Sequence, residues 1–166
     1  MNNMFYENII VSDYDKISES TINLFEKKLN VMFPKDYKKF ILEYNGSSLY
    51  TKKIALFYKE HKIILSRFIP LREISQHIRD YTISKNTYNL YEKEKLILIS
   101  YNSSELRESA FISLNENRFG FIYISSKNID LIEGKNIINI QDLDINLVKV
   151  ANSFIEFTEM FKEIDN

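Results

Sequence analysis

Two segments in the first third of the chain repeat apolar residues every three to four positions, the period of a helix with one buried face. In SDYDKISESTINLFEKKLN, residues 12–30, the series is Ile17, Thr21, Leu24, Phe25 and Leu29. Ser12 with Asp15 reads as its capping box, a hydroxyl and a carboxylate that satisfy the first free amides. In FPKDYKKFILEYNG, residues 33–46, the stripe is Tyr37, Phe40, Ile41 and Tyr44. Pro34 suits a first helical turn, where its missing N–H removes no bond, and Asn45-Gly46 suits a stop. Lys35, Lys38 and Lys39 fall on the other side, toward solvent.

The period then shortens. Ile54–Tyr58 and Ile63–Phe68 are brief apolar runs of strand type, with Tyr58-Lys59-Glu60-His61 as the turn between them and Pro70 closing the second. Leu71, Ile74 and Ile78 give one side of a short helix, while the pattern around Ile83 and Tyr88 selects no element. Leu96–Tyr101, Ala110–Leu114 and Phe119–Ile124 are β-branched and aromatic, as strands prefer. Asn102-Ser103-Ser104 and Asn115-Glu116-Asn117 supply the turns. Ile137–Ile140 reads as a short strand or an edge. The last segment, LVKVANSFIEFTEMFKEI, reads as a helix capped by Asn146, with Leu147, Val150, Ala151, Phe154, Phe157, Phe161 and Ile164 along one face.

The order is α+β: N-terminal helices, a largely antiparallel central sheet and a C-terminal packing helix. A chain of 166 residues, 45% hydrophobic with a formal net charge of -1, is expected to form one soluble domain over 1–166. The absence of cysteine excludes disulfides and thiolate chemistry and fits a reducing compartment. The opening MNNMFYENII has no basic start or long apolar run, and no stretch approaches the ~20 apolar residues of a spanning helix, so neither a secretory signal nor a membrane is expected.

Charge changes the picture because it is uneven. Lys27 to Arg67 holds ten Lys/Arg against three Asp/Glu, an excess of seven; Tyr91 to Asn166 holds eight against thirteen, a deficit of five. Candidate catalytic chemistry is sparse. His61 and His77 lack the spacing of a metal-binding pair, and Asp13/Asp15 and Asp142/Asp144 sit where caps and acidic loops are expected. No phosphate-cradling glycine loop or dinucleotide fingerprint occurs. No catalytic residue, cofactor or metal is expected. Lys35, Lys38, Lys39, Lys52, Lys53, Lys59 and Lys62 could meet phosphates, but the adjoining aromatics follow the core stripe too closely to be stacking platforms, so specific nucleic-acid binding is not expected.

Protein recognition needs only an aromatic patch with a charged rim. Glu105, Glu108, Glu116, Asp130, Glu133, Asp142 and Asp144 lie in or near the turns of the acidic half, with Tyr101 and Tyr123 on adjoining strands. The plain alternative is that these acids only keep turns solvated.

The order LFEKKLN…FPKDYKKFILEYNG, LILISYNSSE…FISL…GFIYIS and VANSFIEFTEMF resembles the SMI1/KNR4 (SUKH) superfamily over about residues 15–162. Phe33, Pro34 and Tyr37 match its apolar-proline-aromatic signature; Asn45, Gly46 and Ser47 stand for its Asn-Gly-Gly; Ala151, Asn152, Ser153 and Phe154 match the start of its late helix. Ser47 departs from the second glycine, and Ile99-Ser100-Tyr101-Asn102 from the usual Ile-Ala and glycine turn. The resemblance implies a non-enzymatic bacterial immunity protein that binds a cognate toxin, often a nuclease, in the cytoplasm; a regulatory or scaffold protein with a resident cytosolic partner is the alternative. On that reading Glu105, Glu108, Glu116, Asp142 and Asp144 steer or rim a basic toxin surface, and Tyr101 and Tyr123 are its apolar anchors.

Overall fold

The computed structural model describes residues 3–11, 16–79, 85–104, 108–125, 137–140 and 145–164. Its first half runs α1 (Asn3–Glu7), β1 (Ile9–Ile10), α2 (Glu19–Leu29), α3 (Lys35–Tyr44), β2 (Ser48–Leu49), β3 (Ile54–Tyr58), β4 (His61–Ile63), β5 (Arg67–Phe68) and α4 (Leu71–Arg79). The second half runs α5 (Lys85–Glu94), β6 (Leu96–Tyr101), β7 (Ser109–Ser113), a 3-10 turn (Glu116–Arg118), β8 (Ile122–Ser125), β9 (Ile137–Ile140), β10 (Ile145–Ala151), α6 (Phe154–Glu159) and β11 (Phe161–Glu163). Among the described residues the strands form two antiparallel sheets, one in the order β1-β2-β5-β6-β7-β8-β10-β9 and one in the order β11-β3-β4. The expected α+β class holds.

The helix over 33–46 follows its pattern closely. Pro34 is the N-cap residue of α3, and Tyr37, Phe40 and Ile41 are buried. Gly46 takes the left-handed conformation (φ 71°) that ends the helix at little steric cost. Asn45 does a second task, its Oδ1 accepting the Leu71 amide at 2.9 Å and so tying the end of α3 to the start of α4.

Three expectations need correction. The first helix starts at Glu19, capped by Ser18, whose hydroxyl accepts the Thr21 amide; Ser12 and Asp15 lie outside the described residues. Its buried residue is Ile22, whereas Leu24 is 68% exposed. Two residues on a helix are about 200° apart, so these two cannot share a face. Secondly, the run Ile63–Phe68 divides between sheets: β4 ends at Ile63 in the small sheet and β5 begins at Arg67 in the large one.

Thirdly, the long C-terminal helix is replaced by strand, short helix and strand. Leu147 and Val148 are neighbours and both buried, as in a strand covered on its two faces. Helix starts only after Ser153, whose hydroxyl accepts the Glu156 amide while the Glu156 carboxylate accepts the Asn152 amide (2.7 Å). That reciprocal cap fixes the start of α6, and Asn146 lies within β10 instead of capping a helix. A smaller shift moves the strand expected from Phe119 to Ile122, after the 3-10 turn and Gly120 (φ 82°). The unassigned stretch around Tyr88 belongs to α5; Ile83 lies outside the described residues.

Phe5, Phe40, Phe68, Phe154 and Phe161 form an aromatic seam between helices and sheet, with ring centroids at 4.7 Å for Phe40–Phe68, 4.8 Å for Phe40–Phe154 and 4.9 Å for Phe5–Phe161. On the large sheet, Ile97, Ile112, Ile122, Ile124 and Val148 join this core. Leu96, Phe111, Tyr123 and Leu147 point the other way and meet Leu90 of α5 in a smaller cluster.

Candidate partner-binding surface

The meander β6-β7-β8 sorts the expected site residues by end. Tyr101, Ser109 and Ser125 are in register, so Tyr101 and the adjacent Glu108 share one end of the sheet. Glu116 lies in the exposed turn at the opposite end, across the length of β7. Four residue steps of strand separate those ends by about 14 Å. Glu105, Asp142 and Asp144, with Asp130 and Glu133, lie outside the described residues.

Tyr101 is partly exposed at the tip of β6, directly across from Arg67 of β5. Arg67 Nη1 donates to the Tyr101 hydroxyl at 2.9 Å, and Nη2 donates to Glu73 Oε1 at 2.8 Å. Both charged side chains are 29% exposed, so the pair is neither sunk in the core nor loose in solvent. Two bonds to backbone carbonyls hold the platform: Ser66 N–H donates to the Tyr101 carbonyl (3.0 Å), and Ser100 Oγ donates to the Arg67 carbonyl (2.8 Å). At the lip, Ser66 and Ser103 hydroxyls are 2.9 Å apart, and the Ser103 amide donates to Ser66 Oγ. An arginine and a tyrosine, oriented before binding and partly in water, are the residue types that anchor protein interfaces.

Glu108 and Tyr123 take other positions than the rim and anchor expected of them. Glu108 is 8% exposed. Its Oε2 accepts both the Ile64 amide (3.1 Å) and Asn102 Nδ2 (2.9 Å), so it fastens the crossing between β4 and β5 to the turn after β6. A carboxylate so close to the core needs those donors, and they turn it inward. Tyr123 is 3% exposed in the second apolar cluster, opposite Phe111 and Lys149. Burial pushes its phenol up, and Arg118, hydrogen-bonded to it, pulls the other way. Arg118 itself is held by Glu94 at 2.6 Å, and Lys149 Nζ lies 3.6 Å from the Phe121 ring centroid.

Arg67 and Glu73 are the functional candidates that the sequence reading missed. The signal was present: a lone arginine within an otherwise apolar run of strand type, followed by an acid in the first turn of the next helix. Such a cation needs a partner near the core edge. Of the lysines on α3, Lys38 is engaged by Glu26 (2.7 Å), whose other oxygen accepts the Phe33 amide. His77 is half-buried on α4 and held below its ordinary value by burial, with Glu73 opposing. His61 sits across from Tyr58 at the end of a hairpin.

Among the described residues no group of three or more His, Cys, Asp or Glu could hold a metal ion, and no helix is long and apolar enough to cross a membrane. A family model described as SMI1 / KNR4 family (SUKH-1) matches residues 16–160. Comparison with curated proteins gives no match.

Proposed function

The chain belongs to the SMI1/KNR4 family (SUKH-1), and from that membership we propose that it is an immunity protein, acting in the cytoplasm without catalysis, that binds a cognate toxin and neutralises it by stoichiometric occlusion. The observation that carries the choice of surface is the partly exposed Arg67–Tyr101–Glu73 group, preorganised by its own hydrogen bonds. Tyr101 supplies apolar contact and Arg67 directed donors. Glu105, Asp142 and Asp144 are proposed as acidic steering contacts for a basic toxin, such as a nuclease, and Glu116 as a contact of a separate patch. Each exposed rim pair contributes only about 0.2–1 kcal/mol, so affinity rests on the anchors and the rim mainly speeds encounter.

The test is co-expression with the products of adjacent genes, capture of any complex, and assay of toxin activity at increasing ratios of this protein. A complex of fixed stoichiometry with loss of toxin activity supports the reading. Absence of both partner and protection overturns it, and stable capture of a resident cytosolic complex favours a scaffold role. Tyr101→Ala and Arg67→Ala are expected to weaken a captured toxin at least tenfold; unchanged affinity in both moves the interface elsewhere.

A further inference from the structure

The large sheet ends at β1, and this edge carries none of the devices that keep edge strands from pairing. Ile9 stands opposite Leu49 of β2 and Ile10 opposite Ser48. The Tyr50 amide donates to the Asn8 carbonyl (2.9 Å), while the Leu49 amide turns the other way, to Ser66. The backbone groups of Asn8 and Ile10 therefore face β2, and alternation sends those of Ile9 and Val11 to the open side. Among the described residues the Ile9 amide and carbonyl have no hydrogen-bond partner. Ile10 is 51% exposed and Val11 64%. Charged side chains, proline and bulges ordinarily blunt such an edge, and Asn8-Ile9-Ile10-Val11 contains none of the three. The small sheet is protected by contrast: the Ile64 amide just past β4 is taken by Glu108, and β11 carries exposed Lys162 and Glu163.

We propose that β1 is where an uncharged, apolar strand of the toxin adds to the large sheet, an inference that rests on the immunity reading above. Hydrogen-bond geometry selects the kind of occupant: an outward amide and carbonyl on a strand are met by extended backbone, and Ile10 and Val11 beside them suit apolar side chains. Continuity with the candidate surface selects whose strand it is. Ile10, Ser48, Arg67 and Tyr101 are successive register partners, so their side chains share one face of the sheet in a row of three interstrand steps, about 14 Å. Ile9, Leu49 and Phe68 take the other face, against the core. A strand laid beside β1 extends that row and brings the rest of the toxin over Arg67 and Tyr101. A second copy gains less. Paired edge to edge about a two-fold axis, it sets its own Arg67 five interstrand steps away, about 24 Å, so the two anchor groups do not meet. A two-residue edge by itself falls short of the ~800 Å² per partner that a stable interface buries.

The test reads amide hydrogen exchange by NMR in the full chain, alone and with the toxin captured by co-expression with the products of adjacent genes. In the free chain the Ile9 amide should exchange at least tenfold faster than the Ile10 amide, which faces β2. With toxin bound, Ile9 protection should rise at least tenfold. Val11→Pro deletes an outward amide at an exposed edge position that tolerates proline, and Val11→Ala shortens the same side chain but keeps the amide. Proline should weaken toxin binding at least fivefold more than alanine does, with thermal midpoints of both variants establishing that they fold. Captured toxin that leaves Ile9 unprotected, or equal losses in the two variants, overturns the proposal and leaves the immunity reading standing. An Ile9 amide already slow in the free chain overturns it too. Protection that rises with the chain's own concentration overturns it in favour of a second copy. Failure to capture any toxin overturns both the proposal and the reading beneath it.

Discussion

Removing the Glu108 carboxylate is expected to loosen the joint between the two sheets. One oxygen, Oε2, takes both bonds, from the Ile64 amide at 3.1 Å and from Asn102 Nδ2 at 2.9 Å. Hydrogen bonds to a charged group contribute about 1.5–3 kcal/mol, and a buried donor left alone costs about 1–3 kcal/mol. Relief of the carboxylate's own desolvation offsets part of this. Glu108→Ala should therefore lower stability by about 2–4 kcal/mol, within the range known for broken buried networks. Glu108→Gln keeps an acceptor where Oε2 stands. Since Oε1 has no hydrogen-bond partner among the described residues, an amide nitrogen can replace it without breaking a bond. The glutamine variant should lose less than about 1.5 kcal/mol, the value of the charge alone. Urea unfolding with an unchanged slope reads the difference, and in a thermal melt the alanine midpoint should fall by roughly 5–12 °C in a chain of this size. Glu108→Ala within about 0.5 kcal/mol of the parent, or Glu108→Gln as costly as alanine, refutes the reasoning that two donors depend on one oxygen.

Ser47 is fully buried, and its hydroxyl has no hydrogen-bond partner among the described residues, so Ser47→Ala should raise stability by about 1 kcal/mol in urea unfolding; a loss would show a hidden bond. Gly46→Ala forces a side chain into the left-handed region (φ 71°) and should cost about 1–2 kcal/mol with partner affinity unchanged; unaltered unfolding would refute this. Burial holds His77 below the ordinary 6.5, so as pH falls through that value the unfolded chain takes the proton first. Stability then declines until pH reaches the lowered folded value and is flat below it. His77→Gln should lose less stability than the parent between pH 7 and pH 5; parallel curves would refute the burial argument.

Legibility in the sequence followed how local the deciding interaction is. The α3 stripe and the β6 run are set by residues within one turn or one strand, and both were readable. The C-terminal segment was not, because Leu147, Val150, Ala151, Phe154 and Phe157 satisfy a helical period by coincidence. What makes 145–151 a strand is its place between β8 and β9, set by bonds to other strands and not by its own apolar spacing. The same holds for the candidate surface. Tyr101 was visible as a strand-end aromatic, but its partner Arg67 is 34 positions away and was hidden in a run that looked like one strand. Glu108 looked like a turn acid because sequence proximity to Asn102-Ser103-Ser104 says nothing of the Ile64 amide it meets.

The contact between Phe5 and Phe161, and the bond from the Ile155 amide to Asp36 Oδ2 at 3.1 Å, have a kinetic consequence. During synthesis the aromatic seam stays open until α6 and β11 leave the ribosome, and the large sheet lacks β10 between β8 and β9 until the same moment. Contacts spanning nearly the whole sequence make late, all-or-none closure the expected order of events. A nascent chain stalled with residue 125 but not residue 145 beyond the exit tunnel should expose the β8 edge and bind chaperones, whereas one stalled with residue 164 beyond the tunnel should resist protease.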